Sequence, residues 1–158
     1  MTTRYAGLVI VGEAITVVDA EVPGDADSPI TILSDFSWKL QHGDRGPALA
    51  VIHQRCADYL RENGIEQVVV KASAVPLKSA SLALLESAEV RGVVIAAAAA
   101  AASNVKLLSK AIVSRTYGDR NVDDYLKDDK FWNEQTEGKA LRKTSREAAM
   151  MIIAVRGR

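Results

Sequence analysis

The side chains best placed to do chemistry are basic and sit late in the chain. Lys106, Lys110, Arg115 and Arg120 are followed by Lys139, Arg142, Lys143 and Arg146, and then by Arg156 and Arg158. Residues 139–146 carry four of them ahead of the next acid, Glu147. A run of that kind can approach a phosphate backbone. Asp123, Asp124, Asp128 and Asp129 offset it from the stretch before, so a solvated charged surface is the plainer reading. Phe131 and Trp132, beside that acidic stretch, could stack on a base. Such a pair also anchors a helix to a core or a partner. Phe36 and Trp38 carry the same two readings.

Other chemistries find little support. Gly12-Glu13 and Gly43-Asp44-Arg45-Gly46 lack the spacing of a phosphate-cradling glycine loop. His42 and His53 have no cysteine or acid at ligand spacing, which fits surface or packing histidines. No nucleophile-elbow sequence supports a Ser-His-Asp triad. A single cysteine, Cys56, excludes an internal disulfide framework and a cysteine-based metal cluster. It lies in the apolar-patterned residues 48–60 and reads as a buried, inert thiol.

The 20 Lys and Arg balance the 20 Asp and Glu, so the formal net charge is zero. That argues against a protein built mainly to coat nucleic acid, while leaving room for a local basic groove. A chain of 158 residues that is 48% hydrophobic is expected to fold as one domain, residues 1–158, with a real core. Its first residues lack the charged and apolar regions of a signal peptide. The longest apolar run, residues 93–102, is about half of a membrane span. A soluble cytoplasmic protein without membrane association is expected.

The elements that must position these residues follow from hydrophobic pattern. Residues 5–11 and 14–22 are apolar, β-branched runs around a glycine-containing break, which predicts a hairpin. Residues 30–33 predict a short third strand after a Pro- and Asp-rich loop. Ala48, Val51, Ile52, Cys56, Tyr59 and Leu60 recur at helical spacing, and Asn63-Gly64 supplies a stop. Residues 65–71 form a compact strand whose apolar run suits a central position. Residues 80–102 predict a long helix; Gly92 calls for a packing reason or a kink. Its alanines, 96–102, allow close approach, either to the sheet of the same domain or to a second copy in a homodimer. Residues 105–108 are a fifth strand, 109–117 a short helix and 122–132 a charged helical stretch. Residues 136–138 read as loop, and 145–155 as a final helix with Ser145 as N-cap.

That order, β-β-β-α-β-α-β-α-α, resembles the ribonuclease H-like superfamily, and short words along the chain resemble its RuvC-like branch, which includes the Holliday junction resolvases. Ile65-Glu66-Gln67-Val68-Val69-Val70 is similar to the fourth strand. Val90-Arg91-Gly92-Val93-Val94-Ile95-Ala96-Ala97-Ala98 resembles the middle of the next helix. Val105-Lys106-Leu107-Leu108 and Ser109-Lys110-Ala111-Ile112-Val113 resemble the fifth strand and the short helix after it. Arg146-Glu147-Ala148-Ala149 resembles the start of the C-terminal helix. The resemblance implies an α/β fold: a mixed five-stranded sheet, three antiparallel strands then two parallel, flanked by helices.

It also implies what an active member needs. Carboxylates from separate elements hold two Mg²⁺ ions for phosphodiester hydrolysis, one on strand one, one at the end of strand four and more on the last helix. This chain departs at the first two places. The strand-one position falls at Val9, and the strand-four position at Ala72 or Ser73 beside Lys71. Glu147 alone stands where a carboxylate belongs; an acid in the first turn of a helix is its plainer reading. A different register would make Glu13 a metal ligand, with Asp19 a further candidate. Three functions follow as expectations. One is a degenerate RuvC-like domain that acts by binding, with no cofactor, its partner being a protein, its own second copy or structured nucleic acid through Lys139, Arg142, Lys143 and Arg146. Another is a divergent Mg²⁺-dependent endonuclease using Glu147 and Glu13. The third is an anion- or nucleotide-binding protein on the same fold, using Lys71, Ser73 and Lys78.

Overall fold

The computed structural model describes residues 1–156, so Arg158 lies outside the described residues. β1 (Thr2–Val11) and β2 (Ala14–Pro23) pair antiparallel around a two-residue turn. Gly12 opens that turn at φ 59°, the left-handed value a tight hairpin requires there. β3 (Ile30–Lys39) pairs antiparallel with β2 and is much longer than residues 30–33. The polar Ser34, Asp35, Ser37 and Lys39 conceal its continuation, which is held by the ladder to residues 14–19 of β2.

The chain continues through α1 (Arg45–Glu62), β4 (Gln67–Lys71), α2 (Leu82–Ala101) and β5 (Asn104–Leu108). Three short helices follow: α3 (Lys110–Thr116), α4 (Val122–Leu126) and α5 (Asp129–Gln135). The charged stretch expected as one helix is therefore two, the second capped by Asp128, whose carboxylate accepts from the Phe131 amide. Residues 136–138, expected as loop, form β6 (Thr136–Gly138), parallel to β3. A single 3₁₀ turn, Lys143–Ser145, leads into α6 (Arg146–Val155).

The sheet order is β5-β4-β1-β2-β3-β6, with β4 parallel to β1 and β5 parallel to β4. It has six strands, one more than the sequence suggested, because β6 adds to the β3 edge. Period-2 alternation splits the side chains between two faces. Ala6, Leu8, Ile10, Ile15, Val17, Val68 and Val70 meet α1 and α2 through Ile52, Cys56, Leu60, Val90 and Val94. Val9, Val18, Ala20 and Val69 meet α6 and the short helices through Ala148, Met150, Met151 and Ile152. Each large side chain so buried contributes about 1.5–3 kcal/mol. Gly7 lets α6 lie directly on β1; a Cβ there would collide with the Ala148 carbonyl.

The alanine helix fulfils half of its expectation. Val94, Ala97 and Ala98 are buried, while Ala96, Ala99 and Ala100 face outward. Gly92 has no packing reason among the described residues, since a Cβ there would meet nothing within 4 Å. Cys56 is buried, and that burial pushes its thiol up to about 12. Among the described residues no helix is long and apolar enough to cross a membrane.

Candidate functional site

The carboxyl ends of β1 and β4 lie side by side, because Leu8 pairs with Val70 in a parallel register. Alternation then puts Val9 and Lys71 on the α6 face. β5 pairs Leu108 with Lys71, which brings the start of α3 to the same end of the sheet. α6 begins above these strands with Glu147 in its first turn. The ends of β1, β4 and β5 and the first turns of α3 and α6 thus converge on one point.

What meets there is a chain of ion pairs. Lys71 Nζ lies 2.7 Å from Glu147 Oε1, Lys110 Nζ lies 3.2 Å from Glu147 Oε2, and Lys110 Nζ also lies 2.9 Å from Asp123 Oδ1. The Glu147 side chain is 16% exposed. The hydrogen bond to Asp123, ahead of that to Glu147, raises the Lys110 ammonium above its ordinary value despite partial burial. The same bond holds Asp123 below the usual carboxylate range, with Lys127 and Lys71 acting in the same direction from further off. Beneath the cluster, the space lined by Lys71, Lys110, Val113, Glu147 and Met150 is about 10 Å³, room for roughly one water.

Val9, at the strand-one position, is 6% exposed and packs in the α6 core. Ala72 donates its amide to the Leu108 carbonyl and so extends the β4–β5 ladder. Ser73 Oγ accepts from Arg91 Nη1 at 2.8 Å, and Arg91 Nη2 donates to the Ile10 carbonyl at 3.1 Å. Arg91 therefore ties α2 to the ends of β1 and β4, a role its place in the sequence did not reveal. A cleft of about 270 Å³ opens on the α2 side of the β4 end, lined by Lys71, Ser73, Ser87 and Arg91. Lys78 is exposed in the segment before α2 and is not among the cleft's lining residues.

The remaining acids do not join Glu147. Glu13 is exposed in the β1–β2 turn. Asp19 is fully buried on the opposite, α1-facing side, where it accepts from Arg4 Nε at 2.6 Å, Arg4 Nη2 at 2.8 Å and Tyr59 Oη at 2.7 Å. Among the described residues no three His, Cys, Asp or Glu side chains gather as a metal-holding group. The donor set does not suit Mg²⁺. Its one carboxylate at the expected place is already held by two ammonium groups, and like charge opposes a cation there.

The late basic run is largely spoken for. Arg142 forks onto Asp35, with Nη2 to Oδ1 at 2.8 Å and Nε to Oδ2 at 3.1 Å. Arg146 donates to Asp129 at 2.7 Å and to the Leu126 carbonyl at 3.0 Å. Lys139 and Lys143 are exposed and make no ion pair among the described residues. Ser145 does not cap α6; its hydroxyl donates to Asp35 Oδ1 at 2.6 Å. Burial would raise Asp35, but the bonds from Arg142 and Ser145 outweigh it and hold the carboxyl below its usual range.

The aromatic pairs resolve as anchors. Trp132 is buried and donates Nε1 to the Tyr125 carbonyl at 2.8 Å, and Phe131 packs on Tyr125 at 4.9 Å between ring centroids. Phe36 and Trp38 pack edge-on to Tyr59 at 5.0 and 5.8 Å. His42 and His53 are exposed.

Neither a protein-family model nor a curated protein sequence matches the chain. Solved structures do. The structure of Thermus thermophilus RuvC superposes with a TM-score of 0.70 at 16% identity, over 96% of this chain and 92% of that one. T. thermophilus RuvC in complex with a Holliday junction substrate gives 0.70 at 14% identity, with the same shares covered. The yeast mitochondrial Holliday junction resolvase Ydc2 gives 0.62 at 10% identity, over 96% of this chain and 78% of that one. The likeness is one of architecture, and together with the element order it establishes that this chain has the RuvC-like form of the ribonuclease H-like fold.

Proposed function

We propose that this chain is a RuvC-fold domain that binds structured nucleic acid and has lost metal-dependent cleavage. The observation that carries the reading is the pairing of Glu147 with Lys71 and Lys110 at the joined ends of β1 and β4, where Val9 and Ala72 replace the acids implied by the resemblance. A two-metal mechanism needs several oxygen ligands around an open space. Two carboxylates, Glu147 and Asp123, both engaged by ammonium groups over about 10 Å³, supply neither. The endonuclease alternative loses support on geometry, since Asp19 sits on the other face of the sheet and Glu13 in an exposed turn. Lys139 and Lys143, free of ion pairs among the described residues, suit contact with phosphates; Arg142 and Arg146 are engaged in holding α6 in place.

A four-way DNA junction is the natural probe, because T. thermophilus RuvC is seen in complex with a Holliday junction substrate. Purified protein is expected to shift the junction in preference to linear duplex and to leave it uncut in Mg²⁺ or Mn²⁺. Cleavage that Glu147→Ala abolishes would overturn the reading.

A second reading, self-association, has its own observation. Leu77, Leu82 and Leu85 are 105%, 70% and 55% exposed, and they run into the outward face of α2 with Gly92, Ala96 and Ala99. Apolar area of that kind is often covered by a partner. Sedimentation is expected to give a dimer that Leu82→Asp with Leu85→Asp splits; a monomer at all concentrations would remove this reading.

A further inference from the structure

We infer that Lys71 and Lys110 replace the metals as the positive charge that receives a backbone phosphate, so that this site docks nucleic acid without any divalent cation. The inference rests on the binding function proposed above and assigns its charge to particular residues.

Four charges gather at one point. A carboxylate-rich metal site is strongly negative when empty and repels phosphate until cations fill it. Here two ammonium groups meet two carboxylates, Glu147 and Asp123, in one bonded chain, and Lys127 acts on Asp123 from further off. The four bonded charges sum to zero, so the junction of β1, β4 and α6 is neutral where an empty metal site would be negative. The protein itself supplies the neutralisation.

The geometry also leaves the lysines able to act. An ammonium has three donors. Lys71 gives one to Glu147, and its side chain remains 28% exposed; Lys110 gives one each to Glu147 and Asp123 and is 42% exposed. Glu147 is less exposed than either lysine, at 16%, so the central carboxylate lies behind the two ammonium groups. Asp123, itself 63% exposed, is a tether that an arriving phosphate can displace from Lys110.

Fluorescence anisotropy of a labelled four-way junction in EDTA, over a potassium chloride series, tests this. Removing one phosphate-binding ammonium should lower the slope of log K against log salt by about 0.9 and weaken affinity about three- to tenfold near physiological salt. Lys71→Ala and Lys110→Ala should each show that change. Glu147→Gln should do the opposite and bind more tightly, because it removes a negative charge from beside both ammonium groups; a variant that merely damages the fold cannot gain affinity. Adding Mg²⁺ should weaken binding only as its ionic strength does. Wild-type binding that both lysine variants leave unchanged, that Glu147→Gln weakens, or that requires Mg²⁺ would overturn the inference while leaving the binding function in place. No junction binding by the wild type would remove both.

Discussion

Asp19 and Glu147 are two carboxylates held by cations on opposite faces of one sheet, and they are built for different ends. Asp19 is fully buried and saturated by a planar guanidinium and a phenol, which lock β1, β2 and α1 together. A forked guanidinium fixes direction as well as charge. Glu147 is partly exposed and held by two flexible ammonium groups from β4 and α3. Lysine is a mobile point charge that can change partner at little cost. The first arrangement therefore maintains the fold. The second marks a place where a charge can be handed to a ligand.

The largest effect separating the two faces is expected from Asp19→Ala. It strands Arg4 and the Tyr59 hydroxyl without their partner and should cost about 3 kcal/mol, or roughly 6–12 °C in Tm. Asp35→Asn, which loosens the entry to α6 by weakening the Arg142 and Ser145 bonds, should cost about 1–2 kcal/mol in a urea titration. Glu147→Gln should change stability by about 1 kcal/mol or less, since its partners stay near water. A destabilisation at Glu147 as large as that at Asp19 would mean that the two sites are alike and both structural.

The pH dependence divides in the same way. Asp35 is held below its ordinary 3.8 in the folded chain, so its contribution is present above that value and lost as pH falls further. Burial first, and the bond to Asp19 second, raise the Tyr59 phenol above its ordinary 10.0. Its contribution is present below pH 10.0 and fades in alkali as the unfolded chain ionises. Equilibrium unfolding against pH is expected to lose part of its acid limb in Asp35→Asn and part of its alkaline limb in Tyr59→Phe. Unchanged limbs would contradict the bonding described at each residue.

Much of the fold was legible because local pattern carries it. The hairpin declared itself through apolar runs around Gly12, and the word starting at Arg146 marked the last helix. β6 was not legible, since Thr136-Glu137-Gly138 has no hydrophobic pattern and is a strand only because Ile30, Thr31 and Ile32 pair with it. The far half of β3 hid behind polar residues for a similar reason. At the site, Val9, Lys71 and Ala72 could be placed by resemblance to known strands. Lys110 appeared among the late basic residues and in the word resembling the short helix after the fifth strand, with no role assigned to it, and Asp123 only as part of an acidic stretch. Their meeting with Glu147 depends on the parallel register of β5 against β4, a long-range fact. Ser145 misled for a related cause: a serine before a helix suggests a cap, but Asp35 from a distant strand takes its hydroxyl.

Manganese titration followed by electron paramagnetic resonance tests the replacement of metal by lysine most directly, because free Mn²⁺ is counted without any assay of activity. The expected result is no saturable site: wild type and Glu147→Gln should leave the same free Mn²⁺ signal up to millimolar concentrations. Saturable binding of Mn²⁺ to the wild type that Glu147→Gln removes would show that Glu147 still serves a metal and that the lysines are not its successors.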